Sequence, residues 1–123
     1  MKTAILLFAH GSRDSLWRLP IEAVAAQITA RAPDMLTRCA YLELCAPTLA
    51  EAALEMNAAG VQKIKIFPLF FGVGKHARED LPELIQDLRD TYPDIVVELL
   101  PTAGEFPSLI SLLADIALME QTI

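Results

Sequence analysis

The apolar residues of this chain fall into four short clusters, each followed by a stretch in which they recur every third or fourth position. The first run is Thr3-Ala-Ile-Leu-Leu-Phe-Ala9. Its lack of alternation suits a strand buried on both faces, and it stops at the turn-rich His10-Gly-Ser-Arg-Asp14. Ile21, Val24, Ala25 and Ile28 then mark a helix that Pro20 opens and Ala32-Pro33 closes. A second strand is predicted near Leu36 to Glu43 and a second helix from Leu49 to Ala59, with Thr48 and Glu51 as its capping box and Gly60 as its stop. The third strand, Gln62 to Phe70, leads through the loop Phe71-Gly-Val-Gly-Lys-His76 to a helix carrying Leu81, Leu84, Ile85 and Leu88, capped by Asp80 and Glu83. Ile95 to Leu100 is the fourth strand, and Pro101-Thr-Ala-Gly104 precedes a helix with Phe106, Leu109, Ile110 and Leu113.

Four strand and helix pairs predict an α/β fold: a three-layer open sheet of four parallel strands with right-handed crossovers and helices on both faces. Four units are too few to close a barrel. An open sheet must reverse its winding, most simply in the order 2-1-3-4, and the crevice at the C-terminal ends of strands one and three is then the expected ligand site. The two histidines of the chain meet at that crevice: His10 directly follows strand one, and His76 sits in the loop after strand three. Glu43, ending strand two, lies on the same edge.

Length and charge narrow the field. The 123 residues make a single domain, 1–123, and ten Lys plus Arg against sixteen Asp plus Glu give a net charge of −6, so nucleic acid and anionic membrane are poor partners. Hydrophobic residues reach 54%, a slight excess that points to apolar surface shared with a partner. Cys39 and Cys45 form no C-x-x-C, and reduced thiols in a cytoplasmic protein are expected. The first apolar run is too short to span a bilayer and lacks the cleavage site of a signal peptide.

Two imidazoles and a carboxylate suit Co²⁺, Ni²⁺, Fe²⁺ or Zn²⁺ and leave coordination positions open, as an enzyme that passes its metal onward requires. Histidine also titrates in the range needed to accept protons from an incoming ligand. Each residue has a plainer reading: a hydrogen-bonded turn histidine for His10 or His76, a solvated acid for Glu43, a packed thiol for Cys45. Phe70, Phe71 and Val73 enter a surface loop, where they either floor a pocket for a flat aromatic ligand, meet a second subunit, or in part join the core. Arg13, Lys75 and Arg78 flank the crevice in sequence; they are either ordinary solvated charges or a local attraction for a polycarboxylate.

Ala9-His-Gly-Ser-Arg13, Leu42-Glu-Leu-Cys-Ala-Pro47 and Pro68-Leu-Phe-Phe-Gly-Val-Gly-Lys-His-Ala-Arg-Glu-Asp-Leu-Pro82 together resemble the class II chelatases of the CbiX/SirB type, over nearly the whole chain. Those enzymes insert cobalt or iron into sirohydrochlorin on the way to cobalamin or sirohaem, and archaeal relatives insert nickel. The resemblance implies a chelatase-like fold and a lyase, with His10 and His76 as metal-binding and catalytic histidines and Glu43 as the assisting carboxylate. It also implies a homodimer, a tetrapyrrole partner, and a metal that is substrate and no permanent cofactor; with a tetrapyrrole in the crevice, Arg13, Lys75 and Arg78 are the candidates to hold its carboxylates and Phe71 to meet its ring. The family's third motif usually reads Gly-Gly-His where this chain has Gly74-Lys75-His76. Lys75 is strained if its position needs positive φ, and its ammonium repels a cation; turned outward, it pairs with a substrate carboxylate. Two other functions compete: a metal or tetrapyrrole carrier without turnover, and phosphoryl transfer through His10.

Overall fold

The computed structural model describes residues 1–120. Its main elements are β1 Thr3–Ala9, α1 Leu19–Arg31, β2 Leu36–Tyr41, α2 Leu49–Ala58, β3 Lys63–Pro68, α3 Lys75–Thr91, β4 Val96–Leu99 and α4 Pro107–Leu118. All strand pairs are parallel, in the order β2-β1-β3-β4. This is the order that the reversal of winding required.

The two faces of the sheet follow from the period of two along each strand. Ala4, Leu6 and Phe8 of β1, with Ala40, Ile64, Ile66 and Val97, pack against Leu49, Ala52, Ala53 and Met56 of α2 and Ala77, Leu81, Ile85 and Leu88 of α3. Full burial of each large side chain here stabilises the fold by roughly 1.5–3 kcal/mol. The intervening residues turn to the other face, where Trp17 meets Tyr41 edge-on, the Cys39 thiol approaches the Ile21 carbonyl, and Phe67 packs on Phe106. Thus α2 and α3 cover one face, and α1 and α4 lie over the other. The second face is thinly covered, since neither α1 nor α4 contributes a fully buried residue.

Several boundaries differ from those predicted. β2 ends at Tyr41, short of Glu43, because the chain bends at Leu42–Ala46 and Leu44 takes a positive φ of 69°. α3 starts at Lys75, with Gly74 in an extended N-cap conformation. Lys75 and His76 therefore sit in a helical turn, outside the loop, while Asp80 and Glu83 lie inside the helix and cap nothing. Burial of Ala77 and Leu81, one turn apart on the core side, carries the helix back past those acids. Val24, expected on the buried stripe of α1, is 41% exposed. The capping box of Thr48 and Glu51 forms as predicted, and Gly60 follows α2 at φ 78°.

Candidate active site

Backbone hydrogen bonding between the ends of β1 and β2 continues past both strands. The Leu42 amide donates to the Ala9 carbonyl at 2.9 Å and the Glu43 amide to the His10 carbonyl at 3.1 Å. The two loops thus advance side by side, and their side chains meet at the sheet edge: His10 Nε2 and Glu43 Oε1 are 3.0 Å apart. A carboxylate only accepts, so Nε2 carries the hydrogen, and in the neutral ring Nδ1 then holds the free lone pair. Both side chains are about half exposed, so the free nitrogen is within reach of a ligand from solvent. The His10 ring also packs edge-on to Phe70, with centroids 6.5 Å apart. Phe70 itself is buried and bridges to Phe8, which ties the imidazole to the core.

Gly11 is what permits this approach. Its φ is 103°, and a Cβ built on it would stand 1.8 Å from the Glu43 carbonyl oxygen. Leu44 bends the partner loop immediately after Glu43. Neither position was a candidate in the sequence, although Gly beside a site histidine is a usable signal of close backbone approach. Gly104 plays a similar part at the end of β4, where an added Cβ would lie 1.7 Å from the Phe71 carbonyl oxygen.

The remaining predicted residues occupy the same edge but separate positions. His76 is exposed at the second position of α3. Among the described residues, no three His, Cys, Asp or Glu side chains stand close enough to hold one metal ion together, so His76 shares the edge without closing a site around the His10–Glu43 pair. Phe71 and Arg78 come together, lining with Val73, Leu81, Leu99 and Pro101 a cleft of about 650 Å³ beyond the ends of β3 and β4. Phe71 is 67% exposed, whereas its neighbour Phe70 joins the core. Arg13 is exposed after β1, and Lys75 is exposed at the start of α3; neither lines that cleft. Lys75 is helical, and the strained positive φ that a glycine would relieve is absent there.

Among the described residues, neither Cys39 nor Cys45 joins the pair in a cluster that could hold a metal ion. Burial, reinforced by Glu22, raises the Cys39 thiol above its ordinary range, so it stays protonated at neutral pH. Tyr41 beside it is pushed up to about 12 by burial and by the neighbouring Cys39, Glu22 and Cys45, which keeps its phenol neutral.

The model of the CbiX family matches residues 4–118. A sirohydrochlorin cobaltochelatase of Methanococcoides burtonii is 34% identical over 69% of this chain, and the match spans 65% of that protein's own length. The crystal structure of a CbiX protein from Marinobacter aquaeolei superposes with a TM-score of 0.81 at 29% identity, over 94% of this chain and 93% of that one. SirB from Bacillus subtilis subspecies spizizenii, solved in complex with cobalt, gives 0.78 at 27% identity, over 95% of this chain and 52% of its own. A parallel sheet ordered 2-1-3-4, a histidine and carboxylate paired across its first two strand ends, and a family match over almost all of the sequence agree: the chain belongs to the CbiX family.

Proposed function

We propose that this protein inserts a divalent metal, Co²⁺ first and Fe²⁺ or Ni²⁺ as alternatives, into a sirohydrochlorin-type tetrapyrrole. The observation that carries the reading is the 3.0 Å contact of His10 Nε2 with Glu43 Oε1 at the edge where a ligand enters. Glu43 holds the imidazole in the tautomer whose Nδ1 is free, and a histidine so oriented is both a better metal ligand and a better base. Insertion requires both properties: the metal must be presented with positions open, and two pyrrole N–H protons must leave as it enters. Glu43 serves the metal through this imidazole, as the assisting carboxylate. His76 supplies the other imidazole from α3, on the far side of the crevice. These three residues are the metal-binding and catalytic set.

The tetrapyrrole carries peripheral carboxylates, and the start of α3 suits them. The positive end of the helix favours anions, and Lys75, Arg78 and, after β1, Arg13 add cationic groups in a chain of net charge −6. Phe71, two-thirds exposed, offers the macrocycle an apolar face. Of the two readings of Lys75, the outward ammonium paired with a carboxylate is the one a helical position supports. The same reading takes one domain over 1–123, a location in the cytoplasm, a homodimer as the working unit, and a place in cobalamin or sirohaem formation.

Purified protein mixed with sirohydrochlorin and Co²⁺ is expected to convert the absorption spectrum to that of the metallated product at least about 10-fold faster than the protein-free control. Lys75→Met should raise KM for the tetrapyrrole with kcat unchanged. No acceleration with Co²⁺, Fe²⁺ or Ni²⁺ would refute the activity, and stoichiometric binding without turnover would make the protein a carrier.

A further inference from the structure

The bond to Glu43 fixes which nitrogen of His10 carries the hydrogen, but it leaves the plane of the ring free. Nε2 lies close to the axis through Cβ and Cγ, so the imidazole can turn about that axis, a soft torsion, with little change in its distance to Glu43. The same turn swings Nδ1 and its lone pair through a wide arc. A ring that must aim this lone pair at a metal therefore needs a second constraint.

Phe70 meets that need. Its ring stands edge-on to the imidazole, at 76° with centroids 6.5 Å apart. Phe70 has little room to yield, being 7% exposed and itself edge-on to Phe8 at 6.0 Å. Its backbone is pinned from two sides. The Leu69 amide donates to the Phe8 carbonyl at 2.7 Å, and the Gly104 amide donates to the Phe70 carbonyl at 3.0 Å. Phe8 stands two residues before His10, so the imidazole and the ring that abuts it are fastened to the same strand.

We propose that Phe70 is a positioning residue for metal insertion: its ring sets the plane of the His10 imidazole, as Glu43 sets its tautomer, and the two together aim the Nδ1 lone pair. The proposal rests on the insertion reading above for the use to which that aim is put. Phe71, next in the chain, is 67% exposed and lines the cleft, so its part is with the tetrapyrrole. Two adjacent phenylalanines then carry different kinetic signatures.

Phe70→Leu and Phe71→Leu are to be compared with wild type by insertion kinetics, by Co²⁺ titration of the apoprotein, and by ¹⁵N resonances of the imidazoles. Phe70→Leu is expected to lower kcat about 10-fold with KM for the tetrapyrrole unchanged, and to weaken Co²⁺ binding by about the same factor. The ¹⁵N shifts of His10 should still place the hydrogen on Nε2. Phe71→Leu should raise KM and leave kcat and Co²⁺ affinity unchanged. A lower Tm in Phe70→Leu with wild-type kcat per folded molecule and wild-type Co²⁺ affinity would make Phe70 a core residue only and overturn the proposal. A change of tautomer would also overturn it, since Phe70 would then act through the Glu43 bond. Should Phe70→Leu fail to fold, nuclear Overhauser contacts between the His10 and Phe70 ring protons of the wild type decide instead, their presence supporting the fixed plane and their absence refuting it. Co²⁺ binding that depends on Phe70 in a protein that inserts no metal would refute the insertion reading and leave the positioning role intact. A wild type that binds no Co²⁺ overturns both.

Discussion

Gly11→Ala is expected to lose both the fold's local geometry and the activity, although it adds a single methyl group. The added Cβ would lie 1.8 Å from the Glu43 carbonyl oxygen, far inside contact distance, and the backbone at φ 103° is one that L side chains rarely adopt. Relief requires the loops after β1 and β2 to separate. That breaks the bond from the Glu43 amide to the His10 carbonyl and pulls the imidazole from its carboxylate. A destabilisation of about 2–3 kcal/mol, or a fall in Tm on the order of 10 °C, should accompany the loss of metal insertion. Gly72→Ala is the control: a Cβ there meets nothing within 4 Å, and only small changes are expected. Equal melting and equal activity of Gly11→Ala and wild type would show that the loops are not locked together as described.

Removal of the histidine itself should have the largest kinetic effect. His10→Ala eliminates the ligand and base at once, and insertion should slow by at least ~100-fold. Glu43→Gln retains a group able to hydrogen-bond but loses the charge that orients and strengthens the imidazole, so a loss of about 10–100-fold is expected. Because Glu43 acts largely through His10, the double variant should be scarcely slower than His10→Ala alone. Fully multiplicative losses would mean that the two residues work independently, contrary to the 3.0 Å pairing.

The sheet was readable from the sequence because four short segments rich in apolar and β-branched residues alternate with longer segments of helical period, each bounded by turn signals. The winding order, and with it the meeting of the ends of β1, β2 and β3, followed from topology. The start of α3 was misread because Asp80 and Glu83 are good capping residues, and nothing local reveals that Ala77 packs in the core. That error moved His76 from a loop to a helical turn, where the positive helix end and Lys75 surround it. The pairing of His10 with Glu43 was foreseen only as a shared edge. The hydrogen bond depends on Gly11 and Leu44, whose backbone angles are consequences of two loops packing together and leave little trace in either loop alone. Phe70 and Phe71 are adjacent and chemically identical, and only the course of the loop after β3 sends one to the core and the other to the cleft.

The central claim is that His10, oriented by Glu43, takes the metal. Titration of the apoprotein with Co²⁺, followed by visible absorption, tests it directly, beside His10→Ala, Glu43→Gln and His76→Ala. Saturable absorption should appear in wild type, vanish in His10→Ala and weaken at least about 10-fold in apparent affinity in Glu43→Gln. A wild-type titration reproduced unchanged by His10→Ala would place the metal elsewhere and contradict the account.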